Sequence, residues 1–310
     1  MRDEADYSVG VIEAVEEIIT VSRESGVPGV FTHAKVLGPN VWGFSQAIVH
    51  RIQRARGEGL EIYADQYPWP ASATGLSAAL LPRWSQVGGG DSLRARLNDP
   101  PTLARIRAEM VENLARRGGA DRIQFRRFVQ DPSIEGRLLS DVAQERGVDP
   151  LDLSIELLML GSPAIVSFNM HEKDIETFMA QPWTMTSSDG DLTTWMEGVP
   201  HPRSYGSFPR KIREYVMERG VITLPFAIRS MTSLPAQVYR IRDRGLLREG
   251  LAADVVVFDL ENLREKGTFT EPHQLAEGMI HVFVNGQAAI LDGEFTGVLA
   301  GEVLRKKVGG

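Results

Sequence analysis

The 310-residue chain contains no cysteine. That removes disulfides, thiolate nucleophiles and cysteine-based metal sites together. It fits a reducing compartment, and the cytoplasm is the expected location. Basic residues are not in excess either: 34 Lys and Arg stand against 41 Asp and Glu, for a formal net charge of −7. A nucleic-acid partner is therefore not expected, because such binding needs a basic surface. No apolar run reaches membrane-spanning length, so no membrane association is expected. The opening Met1-Arg2-Asp3-Glu4 lacks the apolar core of a signal peptide. There is no glycine-rich phosphate loop, no internal repeat and no low-complexity tract. What is present is an ordinary globular composition, 43% apolar and 24% charged, in a chain long enough for a large core in one or two domains.

Val11 to Ser25 reads as an amphipathic helix, with Val11, Ala14, Val15, Ile18 and Ile19 at helical spacing, and Gly26 and Pro28 stop it. Gly29 to His33 reads as a short buried strand, about Trp42 to Gly57 as a helix, and Leu60 to Trp69 as the next strand. Strand–helix–strand rhythm predicts a parallel sheet. After Trp69 the rhythm breaks. Residues 70 to about 160 carry Gly88-Gly89-Gly90, Pro100-Pro101 and Gly118-Gly119 around an Arg-rich helical stretch, and read as an insertion projecting from the end of a strand. Within it Ser140 is expected to open a helix, and Asp149-Pro150 another that ends near Leu160. Ala164 to Asn169, Glu172 to Ala180 and Thr184 to Ser188 resume the strand–helix–strand order. The tail, from about 241, changes to β-rich runs bounded by turns, of which Asn285-Gly286 is a hairpin signal.

Two residues stand at the ends of predicted strands, His33 in Val30-Phe31-Thr32-His33-Ala34-Lys35 and Asp189 in Ser187-Ser188-Asp189-Gly190. In parallel α/β barrels the strand carboxyl ends are where catalysis is built. A neutral imidazole there can hold a metal ion, and a carboxylate can hold metal or carry a proton. The bland readings are a buried histidine bonded in the core and an Asp that caps turn amides. Tyr67 ends another strand, where a phenol can polarise a carbonyl oxygen, although a core tyrosine is the commoner case. Lys35 points the same way as His33 if the strand continues. Arg203 and Arg210 can clamp a carboxylate in bidentate fashion, the alternative being solvated surface arginine. The arginines at 94 to 127 read as a solvated helical face.

Taken in order, these runs resemble the N-acyl-D-amino-acid deacylases (D-aminoacylases) of the amidohydrolase superfamily. The likeness begins at Met1-Arg2-Asp3-Glu4 and runs through Thr32-His33-Ala34-Lys35-Val36, Asp65-Gln66-Tyr67-Pro68-Trp69 and Thr74-Gly75-Leu76. It continues at Ser188-Asp189-Gly190, His201-Pro202-Arg203 and Gly206-Ser207-Phe208-Pro209-Arg210, and ends at Ala253-Asp254-Val255-Val256-Val257-Phe258-Asp259, Val284-Asn285-Gly286 and Thr296-Gly297. The resemblance implies an α/β fold: the C-terminal part of a metal-dependent hydrolase TIM-type barrel over residues 1–240, with the insertion at about 70–160 as a helical lid over the acyl group, followed by a small β-sandwich over 241–310. It implies a zinc-dependent amide hydrolase that removes the N-acyl group from small-molecule N-acyl-D-amino acids. His33 and Asp189 would be metal ligands, Asp189 also the general base, and Lys35, Tyr67 and Arg203 substrate contacts.

The departures carry weight. The family has a His-x-His pair, a bridging Cys and a His at the end of the fifth strand, and this sequence shows none of them. Alanine also stands at position 73, where the family often has serine. The expectation is an incomplete chain that holds part of a zinc site and does not hydrolyse N-acyl-D-amino acids by itself. An N-terminal half or a second copy is its expected partner, since a partial barrel exposes unpaired strand edges. A non-catalytic remnant or split subunit is the alternative.

Overall fold

The computed structural model describes residues 3–6 and 8–305, so Met1 and Arg2 of the opening motif lie outside the described residues. Helix α1 (Val11–Ser25) buries Val11, Ala14, Val15 and Ile19 on one face, and Gly26 ends it with φ 70. Strand β1 (Gly29–Phe31), helix α2 (Ser45–Gly57) and strand β2 (Ile62–Gln66) follow. β1 and β2 pair in parallel, Phe31 opposite Ala64, and every residue of β2 is buried. That suits a central strand covered on both faces.

The chain then builds the insertion. It consists of β3 (Ser72–Gly75), α3 (Leu76–Leu80), α4 (Gly89–Leu97), α5 (Pro100–Arg116), β4 (Ile123–Arg127), α6 (Leu139–Arg146), α7 (Pro150–Leu160) and β5 (Ala164–Ser167). Asp99 and Asp149 cap α5 and α7 by accepting from the Thr102 and Leu151 amides, with proline in the first turn of each. Ser140 does not open its helix. α6 starts at Leu139, behind Leu138, with no side-chain cap.

The expectation of a helical lid also changes. β5 lies between β3 and β4, antiparallel to both, so residues 164–167 belong to a sheet of the insertion and not to the parallel sheet. A short apolar run signals a strand but not its pairing, which only the folded neighbours decide. Leu80, Ile106, Phe125, Leu139, Leu157 and Ile165 form a core here, distinct from the one around Phe31, Ile48, Ala64, Phe178 and Met185.

Helix α8 (Glu172–Met179) leads to β6 (Thr184–Thr186), which pairs in parallel with β2 on the side away from β1. The parallel sheet has the order β1-β2-β6, and no sheet of the described residues closes on itself. Helix α9 (Arg203–Arg210) runs into a π-helix over Lys211–Glu218. Pro209, which has no amide hydrogen to give the helix, stands just before the widening. Helices α10 (Leu224–Met231) and α11 (Ser233–Val238) precede the tail.

The tail strands β7 (Val255–Phe258), β8 (Met279–Val284), β9 (Gln287–Leu291) and β10 (Glu294–Phe295) form one antiparallel sheet in chain order. Asn285-Gly286 turns β8 into β9 with φ 51 and 78, the two positive values a type I′ turn needs. Asp292-Gly293, φ 51 and 82, does the same between β9 and β10. Asp-Gly is an equally strong signal that the sequence reading passed over. Among the described residues the tail shows one sheet of four strands, none of whose residues is fully buried.

Candidate active-site cavity

A cavity of about 370 Å³ lies where the carboxyl ends of the parallel strands face the insertion. Glu4, His33, Lys35, Tyr67, Asp189 and Arg203 line one side, and Ser72, Ala73, Thr74, Arg83 and Arg117 of the insertion and its approach line the other. Five of the six residues singled out in the sequence thus meet around one space, although Tyr67 and Asp189 are 122 residues apart in the chain. They meet because β2 and β6 are neighbours and the intervening segment is folded away as the insertion.

Asp65, one residue from the carboxyl end of the central strand β2, organises the strand ends. Its carboxylate accepts from the His33 amide at 2.9 Å and the Ser187 hydroxyl at 2.8 Å, and its carbonyl accepts from the Ala34 amide. The central strand therefore ties the exits of both its neighbours. His33 and Asp189 each hold a left-handed backbone, φ 44 and 48. Such conformations cost roughly 1 kcal/mol or more in a non-glycine residue and collect at functional sites. Beyond Asp189 the chain passes so close to α9 that a side chain at Gly190 would meet the Ser204 Cα at 2.9 Å.

Each charged group on the sheet side has a partner. The Asp189 carboxylate forms an ion pair with the Arg203 guanidinium at 2.9 Å. Arg203 is buried and also covers the Tyr67 ring, 4.7 Å from its centroid. Its backbone is set by His201, whose Nδ1 accepts from the Arg203 amide while Nε2 donates to the Ala71 carbonyl. Burial, with the Arg203 charge adding to it, holds the His201 imidazole well below its ordinary range, so it stays neutral. Tyr67 is fully buried, and burial pushes its phenol above the ordinary range, which keeps it a donor. Its hydroxyl lies 3.4 Å from the Met170 sulfur, a weak acceptor. Arg210, which the sequence offered as a carboxylate clamp, is absent from the cavity wall. It donates to the Pro68 carbonyl at 2.7 Å and pairs with Glu265 at 2.7 Å.

Lys35 pairs with a residue to which the sequence reading gave no role. Glu4 Oε1 lies 2.8 Å from Lys35 Nζ and 2.9 Å from His33 Nδ1. Burial alone would raise the Glu4 carboxyl. The hydrogen bond from His33 and the charge of Lys35 outweigh it and bring the group down to about 2. Burial lowers the Lys35 ammonium, and the Glu4 carboxylate only partly restores it. Nothing in the spacing joins positions 4 and 33; the contact exists only once β1 is in place.

His33 and Asp189 are an imidazole and a carboxylate, the donor types a zinc ion takes. Catalytic zinc commonly takes three protein ligands, and among the described residues no group of three His, Asp or Glu is placed to hold an ion. These residues alone do not fit a closed zinc site.

The amidohydrolase family profile matches residues 90–290. The chain belongs to the amidohydrolase family. Within that family it is 32% identical to the N-acyl-D-glutamate deacylase of Alcaligenes xylosoxydans xylosoxydans over 93% of its own length and 50% of the relative's. It is 31% identical to the D-aminoacylase of the same organism, over 99% of itself and 54% of that protein. Among solved structures, it superposes on the N-acyl-D-glutamate deacylase of Bordetella bronchiseptica, crystallised with zinc and a phosphonate mimic of the tetrahedral intermediate. That match has a TM-score of 0.73 at 32% identity and covers 93% of this chain and 52% of that one. A D-aminoacylase crystal structure gives a TM-score of 0.78 at 31% identity, over 99% and 55% of the two chains. This amidohydrolase chain spans about half the length of the curated relatives it matches. No helix of its described residues is long and apolar enough to cross a membrane.

Proposed function

We propose that this chain supplies the substrate-holding side and the proton-transferring carboxylate of an N-acyl-D-amino-acid deacylase, an amide hydrolase acting on linear C–N bonds. The observation that carries the reading is the meeting of His33, Lys35, Tyr67, Asp189 and Arg203 around one cavity at the strand ends, in a chain whose relatives are such deacylases.

In this reading Arg203 receives the substrate carboxylate with its planar fork, and Lys35 adds positive charge beside it. Tyr67, held protonated by burial, donates toward the carbonyl oxygen. Asp189 takes the proton of the attacking water and returns it to the leaving amine. Zinc is carried by relatives; in a complete site it would polarise the carbonyl and activate the water. From this chain, His33 and Asp189 are the residues that would hold it. The remaining ligands would come from residues outside the described ones, in the half of the relatives that this chain does not span. The parallel sheet is then part of a barrel, the tail sheet part of a β-sandwich, and the site of action the cytoplasm.

The test is amine release from N-acetyl-D-glutamate and N-acetyl-D-methionine with added zinc. The 310-residue chain alone should show no useful rate. Joined to, or mixed with, the N-terminal half of a relative, it should gain activity that Asp189→Asn lowers by at least about a hundredfold. Rapid turnover by the chain alone, or full activity in Asp189→Asn, would overturn the reading.

A further inference from the structure

Asn169 lies just past β5, where the insertion returns to the strand ends, and it is wholly buried. Its main chain is held from the parallel-sheet side. The Asn169 carbonyl accepts from the Gly38 amide at 2.7 Å and the Trp42 indole at 3.1 Å, both in the segment between β1 and α2. Its side-chain amide lies among three neighbours of the insertion. The Ser167 carbonyl can only accept a hydrogen bond, and the Arg117 guanidinium can only donate one. A single orientation of the amide satisfies both. Nδ2 donates to the Ser167 carbonyl at 2.9 Å, and Oδ1 accepts from Arg117 at 3.3 Å. The same orientation points Nδ2 at the Ser72 hydroxyl oxygen, 2.9 Å away, and makes that oxygen an acceptor. A hydroxyl that accepts keeps its own proton to give. Among the described residues no other group bonds to the Ser72 hydroxyl, and Ser72 lines the cavity.

We propose that Ser72 is a substrate-contacting donor and that Asn169 is the residue that positions it: the amide occupies one side of the hydroxyl, so that its proton is offered to an oxygen of a bound N-acyl amino acid on the other. The same amide anchors Arg117, so one side chain sets two groups of the insertion wall. Ala73 brings no hydroxyl to that wall, and no bond of this kind orients the Thr74 hydroxyl among the described residues. A donor aimed in advance loses less freedom when the substrate arrives than one that rotates. That the acceptor belongs to an N-acyl amino acid rests on the deacylase reading above; the orientation of the amide does not.

The test is made by NMR on the whole 310-residue chain, labelled with ¹⁵N and ¹³C. Nuclear Overhauser contacts of the Asn169 side-chain amide protons should be stronger to the Ser72 β-protons than to the Arg117 side chain, and the reverse pattern overturns the proposal. N-acetyl-D-glutamate and N-acetyl-D-methionine are then titrated in separately, and both should move the signals of residues 72–74. Ser72→Ala should weaken binding about tenfold, the scale of one good hydrogen bond. A loss confined to the glutamate derivative puts the acceptor on its side-chain carboxylate; a loss with both compounds puts it on the part they share. Asn169→Asp keeps the shape of the side chain but offers acceptors only, so it draws the Ser72 proton away from the cavity. In that background Ser72→Ala should cost no more than about twofold. An undiminished cost there overturns the positioning role, because the effect would not run through the amide. Binding that Ser72→Ala leaves unchanged for both compounds, or signals of residues 72–74 that neither compound moves, overturns the contact. If Asn169→Asp does not fold, the amide contacts and Ser72→Ala decide. Failure of the deacylase reading alone would show as absent amine release from the joined halves, with these titrations unaltered.

Discussion

Two carboxylates, Glu4 and Asp65, hold the cavity together at the level of single residues, and they do so at different kinds of cost. Glu4 is an ion among ions. Its folded carboxyl sits at about 2 against an ordinary 4.5, so its contribution is complete above 4.5 and is lost as pH falls toward 2. The stability advantage of wild type over Glu4→Gln should be flat above that range and vanish near the lower limit, with a ceiling of about 3 kcal/mol. Denaturant melts at a series of pH values measure it, and an advantage that persists undiminished near pH 2 would contradict the assignment. Asp65 instead serves two neutral donors just beyond the ends of two different strands. Asp65→Ala strands both, and a loss of about 3 kcal/mol is expected from bonds to a charged acceptor, read as a lowered denaturant midpoint at unchanged slope. The sequence could propose His33 and Asp189 because chemistry-bearing residues at strand ends have a local signature. It could not propose Glu4, whose significance comes entirely from a neighbour 29 positions away.

The elements were legible to unequal degrees, for the same physical reason. α1 is legible residue for residue, since its apolar face and its glycine stop are local facts. The Asn285-Gly286 turn is legible because two positive φ values select those residues. The partner of β5 was not, because pairing is a tertiary choice. Nor was the π-helix, which carries a fully buried lysine. Lys211 is 2% exposed and pairs with no carboxylate among the described residues; its ammonium donates to Thr186 at 2.7 Å and Ser230 at 2.9 Å. Burial brings it down from 10.5 to about 7. The unfolded chain then binds more protons than the folded one between those two values, so the Lys211 penalty is full below about 7 and fades as pH climbs to 10.5. Stability should rise with pH across that window by an amount on the order of a few kcal/mol. In Lys211→Met the rise should disappear and the thermal midpoint at neutral pH should increase. A lower midpoint at neutral pH would mean that the two hydroxyl bonds outweigh the desolvation.

At the scale of the whole molecule, stability is unevenly spread. The parallel sheet and the insertion each have a core, and the tail sheet has no fully buried strand residue. Amides of β8 and β9 should therefore exchange with solvent deuterium through small local openings, well before those of β2 and β5. Equal protection across the three sheets would show that the tail is covered in a way its burial does not reveal. The insertion invites a different conclusion. Ser72, where it leaves the sheet, and Ser167, where it returns, are register partners in β3 and β5, and opposed residues of an antiparallel pair stand only about 5 Å apart. A loop of chain whose two ends already touch can change in length between them without shifting where it leaves and rejoins the sheet. The wall of the cavity that carries Arg83 and Arg117 is thus set by the insertion's own fold, while Asp65 and the strand ends beneath it set the other wall.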